Sequence, residues 1–275
     1  DVAIEKNRND KRLNLNPIDY QRYISQRANK PQEAFSISGD SFFPKQLLEE
    51  QLNKVIRDPN IKYVARIGIL QTKDGRVVLN VDDTVSPITD FPIKSGQSLN
   101  GAIVEWQPPY LINGQVPRGL YRAWCDPYAT SKDTKNMTLR DSLGSIYIYE
   151  RTNTFTPTRG DILVASYVGR PSLVDTYNEE GFRLIQRYNA IMQFENNRGN
   201  IYEYAKNNKK LEWLANEPTF TWNKELAIKS GQPKGIHIND KRKETGALYL
   251  RDWLITPRGI DKDGIILLNL NYIYD

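Results

Sequence analysis

The feature that most constrains this chain is the stretch from Leu120 to Gly199, where two apolar runs each end on an acid. The first is Leu120-Tyr121-Arg122-Ala123-Trp124-Cys125-Asp126 and the second is Ala190-Ile191-Met192-Gln193-Phe194-Glu195. Between them, Gly144 to Arg151 and Asp161 to Val168 alternate apolar and polar residues, with the aromatic and β-branched types of paired strands. Leu173 to Asn189 then sets Leu173, Tyr177, Phe182, Leu184, Ile185 and Tyr188 at roughly helical spacing. The order is strand-acid, strand, strand, helix, strand-acid. A mixed sheet in that order can bring its first and fourth strands side by side, so that Asp126 and Glu195 share one site. Two carboxylates held together with no Arg between them need a cation, and hard oxygen ligands suit Mg²⁺ or Mn²⁺.

The rest of the composition permits this and removes several competitors. A chain of 275 residues buries a sizeable core and leaves room for one or two domains. Hydrophobic content of 39% and charged content of 26% exclude a disordered chain. No apolar run approaches the roughly 20 residues that cross a bilayer, and no signal-peptide pattern opens the chain, so no membrane is expected. One cysteine, Cys125, rules out an internal disulfide framework and fits a reducing compartment. One histidine, His237, excludes His-rich metal sites and histidine-pair mechanisms. A net charge of +5 permits a polyanionic partner without requiring one. The start Asp1-Val2-Ala3, without Met, suggests a processed or trimmed piece of something longer.

Residues 1–16 are charged and Asn-rich and read as an arm or an isolated strand. Pro17 opens a helix over Ile18 to Arg27, and Pro31 starts a further turn. Gly39-Asp40-Ser41 breaks it, and Pro44 begins a third helix with Leu47, Leu48, Leu52, Val55 and Ile56 on one face, ended by Asp58-Pro59-Asn60. From Tyr63 the period becomes two. Val64 to Leu70 and Val77 to Val81 flank Lys73-Asp74-Gly75-Arg76, a hairpin signal, and Ile103 to Trp106 is a third short strand. Residues 61–112 read as a small β element ahead of the acid-bearing sheet, or equally as an edge extension of that sheet.

Asp126 precedes Pro127, which cannot continue a central strand, so the acid sits at a strand end, where an α/β sheet usually does its chemistry. Asp-Pro pairs also cap turns routinely. Glu195 shifts the balance, because Glu is a poor residue to leave beside a core unless it is paired or binds metal. A two-metal site would stabilise both the attacking water and the leaving oxygen in phosphodiester hydrolysis. Asp141, entering the strand Gly144 to Arg151, is the candidate third ligand. Asp133, in the polar loop Thr130 to Asn136, competes with it.

After Asn207 the chain turns basic. Lys206, Lys209 and Lys210 cluster at a helix end, where the macrodipole alone favours them. Thr219-Phe220-Thr221-Trp222 reads as a short strand. Lys229, Lys234, Lys241, Arg242 and Lys243 gather in the Gly/Pro-punctuated segment Ser230 to Thr245. Asp240 to Glu244 is an ordinary solvated face, yet beside a phosphodiesterase site it would neutralise backbone phosphates without reading sequence. Lys241, Arg242 and Lys243, with Arg198, are the expected nucleic-acid contacts. His237 reads as a loop residue. A helix from Thr245 to Leu254 is expected to return Leu248, Leu250, Trp253 and Leu254 to the core. Thr256 to Gly259 ends it, and Asp263-Gly264 turns into a last apolar run.

Trp124-Cys125-Asp126-Pro127, followed by Asp141-Ser142-Leu143-Gly144-Ser145-Ile146-Tyr147-Ile148, resembles the first hairpin of the nuclease domain of phage terminase large subunits. Gln193-Phe194-Glu195-Asn196-Asn197-Arg198-Gly199 resembles that family's second acid motif. Ala28 to Ser36, with Gly39 and Phe43-Pro44, is similar to the segment joining the packaging ATPase to the nuclease, and Ile260 to Asp275 to the segment leading into its final helix. The nearest likeness is to large-genome, gut-type tailed phages. The resemblance implies an α/β fold, an RNase H-like mixed sheet flanked by helices. Residues 1–60 are then a helical linker following an ATPase domain, 61–112 the small β element, and 113–275 the nuclease domain with its C-terminal end missing.

The implied function is a metal-dependent endonuclease cutting concatemeric double-stranded DNA in the host cell cytoplasm. Asp126, Glu195 and Asp141 would hold Mg²⁺ or Mn²⁺, two ions in all, and the ATPase domain, the portal and the small terminase subunit would be partners. No Gly-x-x-x-x-Gly-Lys-Ser/Thr occurs, so the ATPase would lie outside this sequence. A third metal-binding Asp is expected beyond Asp275. The alternatives are a resolvase-like nuclease of the same fold and a catalytically silent DNA-binding or assembly module.

Overall fold

The computed structural model describes Lys11, Tyr23 and residues 42–57, 65–90, 92–93, 96–128, 142–156, 160–217, 234–260 and 266–269. Apart from Tyr23, which is helical, the expected helix over Ile18 to Arg27 lies outside the described residues, as do the turn at Pro31, the strand at Thr219 to Trp222, Lys229, Asp133 and Asp141. The chain divides into two units. One comprises Asp1–Arg57 with Ala247–Asn271, the other Asp58–Gly246 with Tyr272–Asp275.

The larger unit is α/β, a seven-stranded mixed sheet flanked by helices. Its strands are β1 (Arg66–Lys73), β2 (Arg76–Val81), β3 (Ile103–Glu105), β4 (Tyr121–Asp126), β5 (Gly144–Glu150), β6 (Ile162–Gly169) and β7 (Ile191–Phe194), in the order β2-β1-β3-β6-β5-β4-β7. Asp74 and Gly75 both take positive φ, at 49° and 73°, the two-residue turn that Asp-Gly favours between twisted strands. β3 pairs with both β1 and β6, so β1 to β3 extend the acid-bearing sheet instead of forming a separate element.

All pairs are antiparallel except β4 with β7, which run parallel. The helix α2 (Val174–Arg187) supplies the crossover that a parallel return needs. Its buried Tyr177, Phe182, Leu184 and Ile185 pack on the face of the sheet that carries Tyr121, Ala123, Cys125, Ile146, Ile148, Met192 and Phe194. β4 alternates without exception, with Tyr121, Ala123 and Cys125 buried and Arg122, Trp124 and Asp126 exposed.

The far end of α2 is tied down by charge. Glu105 of β3 is buried and receives Arg187 Nε at 2.6 Å and the Tyr188 hydroxyl at 3.0 Å, with Arg66 as a further partner. A carboxylate this far from water is tolerated only with such a complete set of donors. Beyond β7 come α3 (Ile201–Asn207) and a short 3₁₀ turn, Leu211–Trp213. The outer edge of β7 is covered in two halves. Ala215 donates to Met192 O at 2.8 Å, and Ile236 donates to Phe194 O at 2.8 Å.

α4 (Asp240–Leu254) begins at Asp240, ahead of the expected Thr245. Asn239 is the reason: its Oδ1 accepts from Arg242 N at 2.9 Å and its carbonyl accepts from Lys243 N at 2.9 Å, an N-cap that draws the charged run into the helix.

The smaller unit holds α1 (Lys45–Arg57), the later part of α4 and a hairpin of β8 (Pro257–Ile260) with β9 (Ile266–Leu268). Asn269 Nδ2 donates to Trp253 O at 2.8 Å, fastening the hairpin to α4. Leu254 is buried, but Leu248 and Leu250 are exposed, as are Leu52 and Ile56 of α1, so these apolar positions do not all turn to a core. Among the described residues no helix is long and apolar enough to cross a membrane.

Candidate metal centre

The parallel register carries both sequence-marked acids to the same place. Cys125 pairs with Phe194, so Asp126 and Glu195 are the next residues on neighbouring strands, and Glu195 N donates to Cys125 O at 3.2 Å. The side chains of Asp126 and Glu195 interact directly. Burial first, and then the Asp126 charge, push the Glu195 carboxyl above its ordinary range, while Arg198 and the Asn197 side chain draw it back. Asp126 is exposed, whereas the Glu195 side chain is only 12% exposed. One acid faces solvent and the other is partly desolvated beside it.

The loop after Glu195 is pinned on two sides. Asn197 Oδ1 accepts from Ile238 N at 3.2 Å and its Nδ2 donates to Ile238 O at 3.4 Å. Gly199 has φ +66°, and a Cβ there would fall 2.8 Å from Pro127 Cβ, so only glycine lets the loop close against the residue following Asp126. The backbone on either side of Arg198 is thereby fixed. Its Nε lies 3.6 Å from Glu195 Oε1 with half the side chain in solvent. The acid pair therefore has an arginine at its Glu195 side. The contact is long and exposed, so it offsets only part of the repulsion.

Of the other expected contacts, Lys241 and Lys243 are exposed in the first turns of α4, which starts just after Ile236, the residue bridged to Glu195. Arg242 turns inward. It pairs with Glu217 at 2.6 Å and donates to the carbonyl of His237, with 11% of its side chain exposed, so it is not an open cation for phosphate. Asp141 lies outside the described residues, and among those described no group of three or more His, Cys, Asp or Glu side chains gathers as a metal site.

As a donor set, Asp126 and Glu195 fit a hard divalent cation: they are two mutually repelling carboxylates, hard oxygen donors on adjacent strand ends. Beneath them Cys125 is fully buried, its thiol pushed up to about 12 by burial, with Tyr177 Oη 3.5 Å away. It is a packing residue and not a ligand.

A second charged group went unnoticed in the sequence. Arg118, Arg122 and Arg151 stand around the opposite end of β4, far apart in the chain and without a motif to announce them. The local signal is an Arg at an outward position of β4. Comparison of the chain with known protein families, curated proteins and solved structures finds no match.

Proposed function

We propose that Asp126 and Glu195 hold a divalent cation, Mg²⁺ or Mn²⁺, in a phosphodiester-cutting site, and that the chain is the nuclease part of a viral DNA-packaging terminase. The observation that carries the first half is the meeting of two carboxylates on parallel strand tips, one of them desolvated against the other. The seven-stranded mixed sheet is compatible with an RNase H-like fold. The terminase half rests on the resemblance of the two acid motifs and their order.

A divalent cation held by this pair supplies water activation and charge neutralisation for phosphodiester hydrolysis. The chain's own residues do the rest. Asp126 offers an open carboxylate, and Glu195 one whose charge finds little water to solvate it. Arg198 neutralises part of Glu195 and is within reach of a phosphate laid over the pair. Lys241 and Lys243 add positive charge at the start of α4, suited to a backbone and not to base reading. Asp141 is the proposed third ligand in this chain, with another beyond Asp275.

The test is nicking of supercoiled plasmid with Mn²⁺ or Mg²⁺ by this chain, Asp126→Ala, Glu195→Ala and a version extended past Asp275. Metal-dependent cutting that both substitutions abolish and the extension raises supports the reading. Cutting by both variants at the parent's rate overturns it. Inert proteins that still bind duplex DNA would instead favour the silent binding module, for which Arg198 beside Glu195 is the relevant observation.

A further inference from the structure

The arginines at the far end of β4 are the charges left without a role. Arg122 shares the outward face of that strand with Trp124 and Asp126. Arg122 pairs with Tyr149 of β5, and Arg151 N donates to Leu120 O at 3.0 Å, two positions along on the same side. Arg118 approaches from the loop before β4. It donates to Asn189 Oδ1 at 2.8 Å and to Glu212 O at 3.3 Å, with its guanidinium 4.8 Å from the Trp213 ring centre.

The remaining bonds are Arg122 to Tyr121 O at 3.1 Å and Arg151 to Gly119 O at 3.3 Å. Every partner of the three is a neutral oxygen or a ring, and among the described residues no carboxylate pairs with any of them. The charges do feel one another. Burial, then Arg151 and Arg118, hold the Arg122 guanidinium below its ordinary range. Three exposed cations gathered with no carboxylate paired to any of them among the described residues repel one another modestly, and an anion is their natural partner.

We propose that Arg118, Arg122 and Arg151 form a binding site for the phosphates of a nucleic-acid backbone that lies along the outward face of β4 toward Asp126. Guanidinium suits this ligand because its planar fork binds phosphate through two parallel hydrogen bonds. Four residue steps along the strand separate Arg122 from Asp126, about 13 Å at the usual rise, close to four base steps at 3.4 Å each. Between them Trp124, 40% exposed, offers a flat apolar surface on which a sugar or base can rest. Nucleic acid as the occupant rests on the nuclease reading, whereas the anion site stands on the arginines alone.

The experiment is fluorescence anisotropy of a short labelled duplex in EDTA, titrated with salt, comparing the parent, Asp126→Asn and the double variant Arg122→Gln/Arg151→Gln. The double variant is expected to bind about tenfold more weakly and to lose about 2 from the slope of log affinity against log salt. Its melting temperature without DNA should equal or exceed the parent's, since like charges have been removed. An unchanged affinity and slope overturns the proposal, and so does a fall in melting temperature that accompanies lost binding, which would make the arginines structural. A parent that binds heparin but no duplex overturns nucleic acid as the occupant. Loss of binding in the double variant, in a parent that cuts no plasmid with any metal, upholds the site while the nuclease reading fails.

Discussion

Asp126→Asn should stabilise the metal-free protein, and the size of the gain follows from the geometry. Neighbouring strands lie about 4.8 Å apart, so two carboxylates at the same level repel by about 1 kcal/mol in the dielectric of water and about 3 kcal/mol at an effective dielectric of 20. Asp126 is exposed and Arg198 offsets part of the Glu195 charge, which places the net gain near the lower figure, about 1 kcal/mol. For a unit of about 150–250 residues, that is a rise in melting temperature of about 2–4 °C. The pH dependence fixes the mechanism. Glu195 is raised above 4.5 in the folded protein, so between that value and its folded pKa the folded state binds more protons than the unfolded one. Stability therefore falls as pH rises through this window, and the penalty is fully present above it. The advantage of Asp126→Asn should be complete at neutral pH and vanish near pH 4 and below. Thermal unfolding by circular dichroism in EDTA measures both. Adding Mn²⁺ should then raise the melting temperature of the parent and leave Asp126→Asn unmoved. A variant less stable than the parent at neutral pH, or a gain that persists in acid, would refute the repulsion argument.

Arg198→Ala removes a cation that competes for Glu195, so Mn²⁺ should bind it more tightly than the parent while duplex DNA binds more weakly; calorimetry of the first and anisotropy of the second would contradict this if both moved together. Glu105→Ala leaves Arg187 buried without its carboxylate and should cost about 3–5 kcal/mol, read as a lowered urea midpoint, whereas a loss below about 1 kcal/mol would show the cluster to be ornamental. Cys125, buried with its thiol pushed up to about 12, should react with a thiol reagent only as fast as the protein opens, and rapid labelling under native conditions would contradict its burial.

The sequence by itself determined the local elements. The strict alternation of β4, the helical spacing of Tyr177, Phe182, Leu184 and Ile185, and the Asp74-Gly75 turn are each set by residues a few positions apart, where backbone sterics and one-sided burial suffice. That Asp126 and Glu195 meet was legible too, because the element order with one helical crossover returns β7 parallel to β4. Other features depended on partners distant in the chain. Whether β1 to β3 join the acid-bearing sheet turns on β3 pairing with β6, which no local pattern encodes. Arg242 reads as a free cation until Glu217 is seen beside it, whereas the Asn239 cap that starts the helix at Asp240 is set by adjacent residues. The arginines around β4 are likewise products of folding, whereas Arg198 reaches Glu195 from only three residues along the chain. A strand pattern fixes which face a side chain occupies, but only the register between strands and the closing of loops decide which charges share that face.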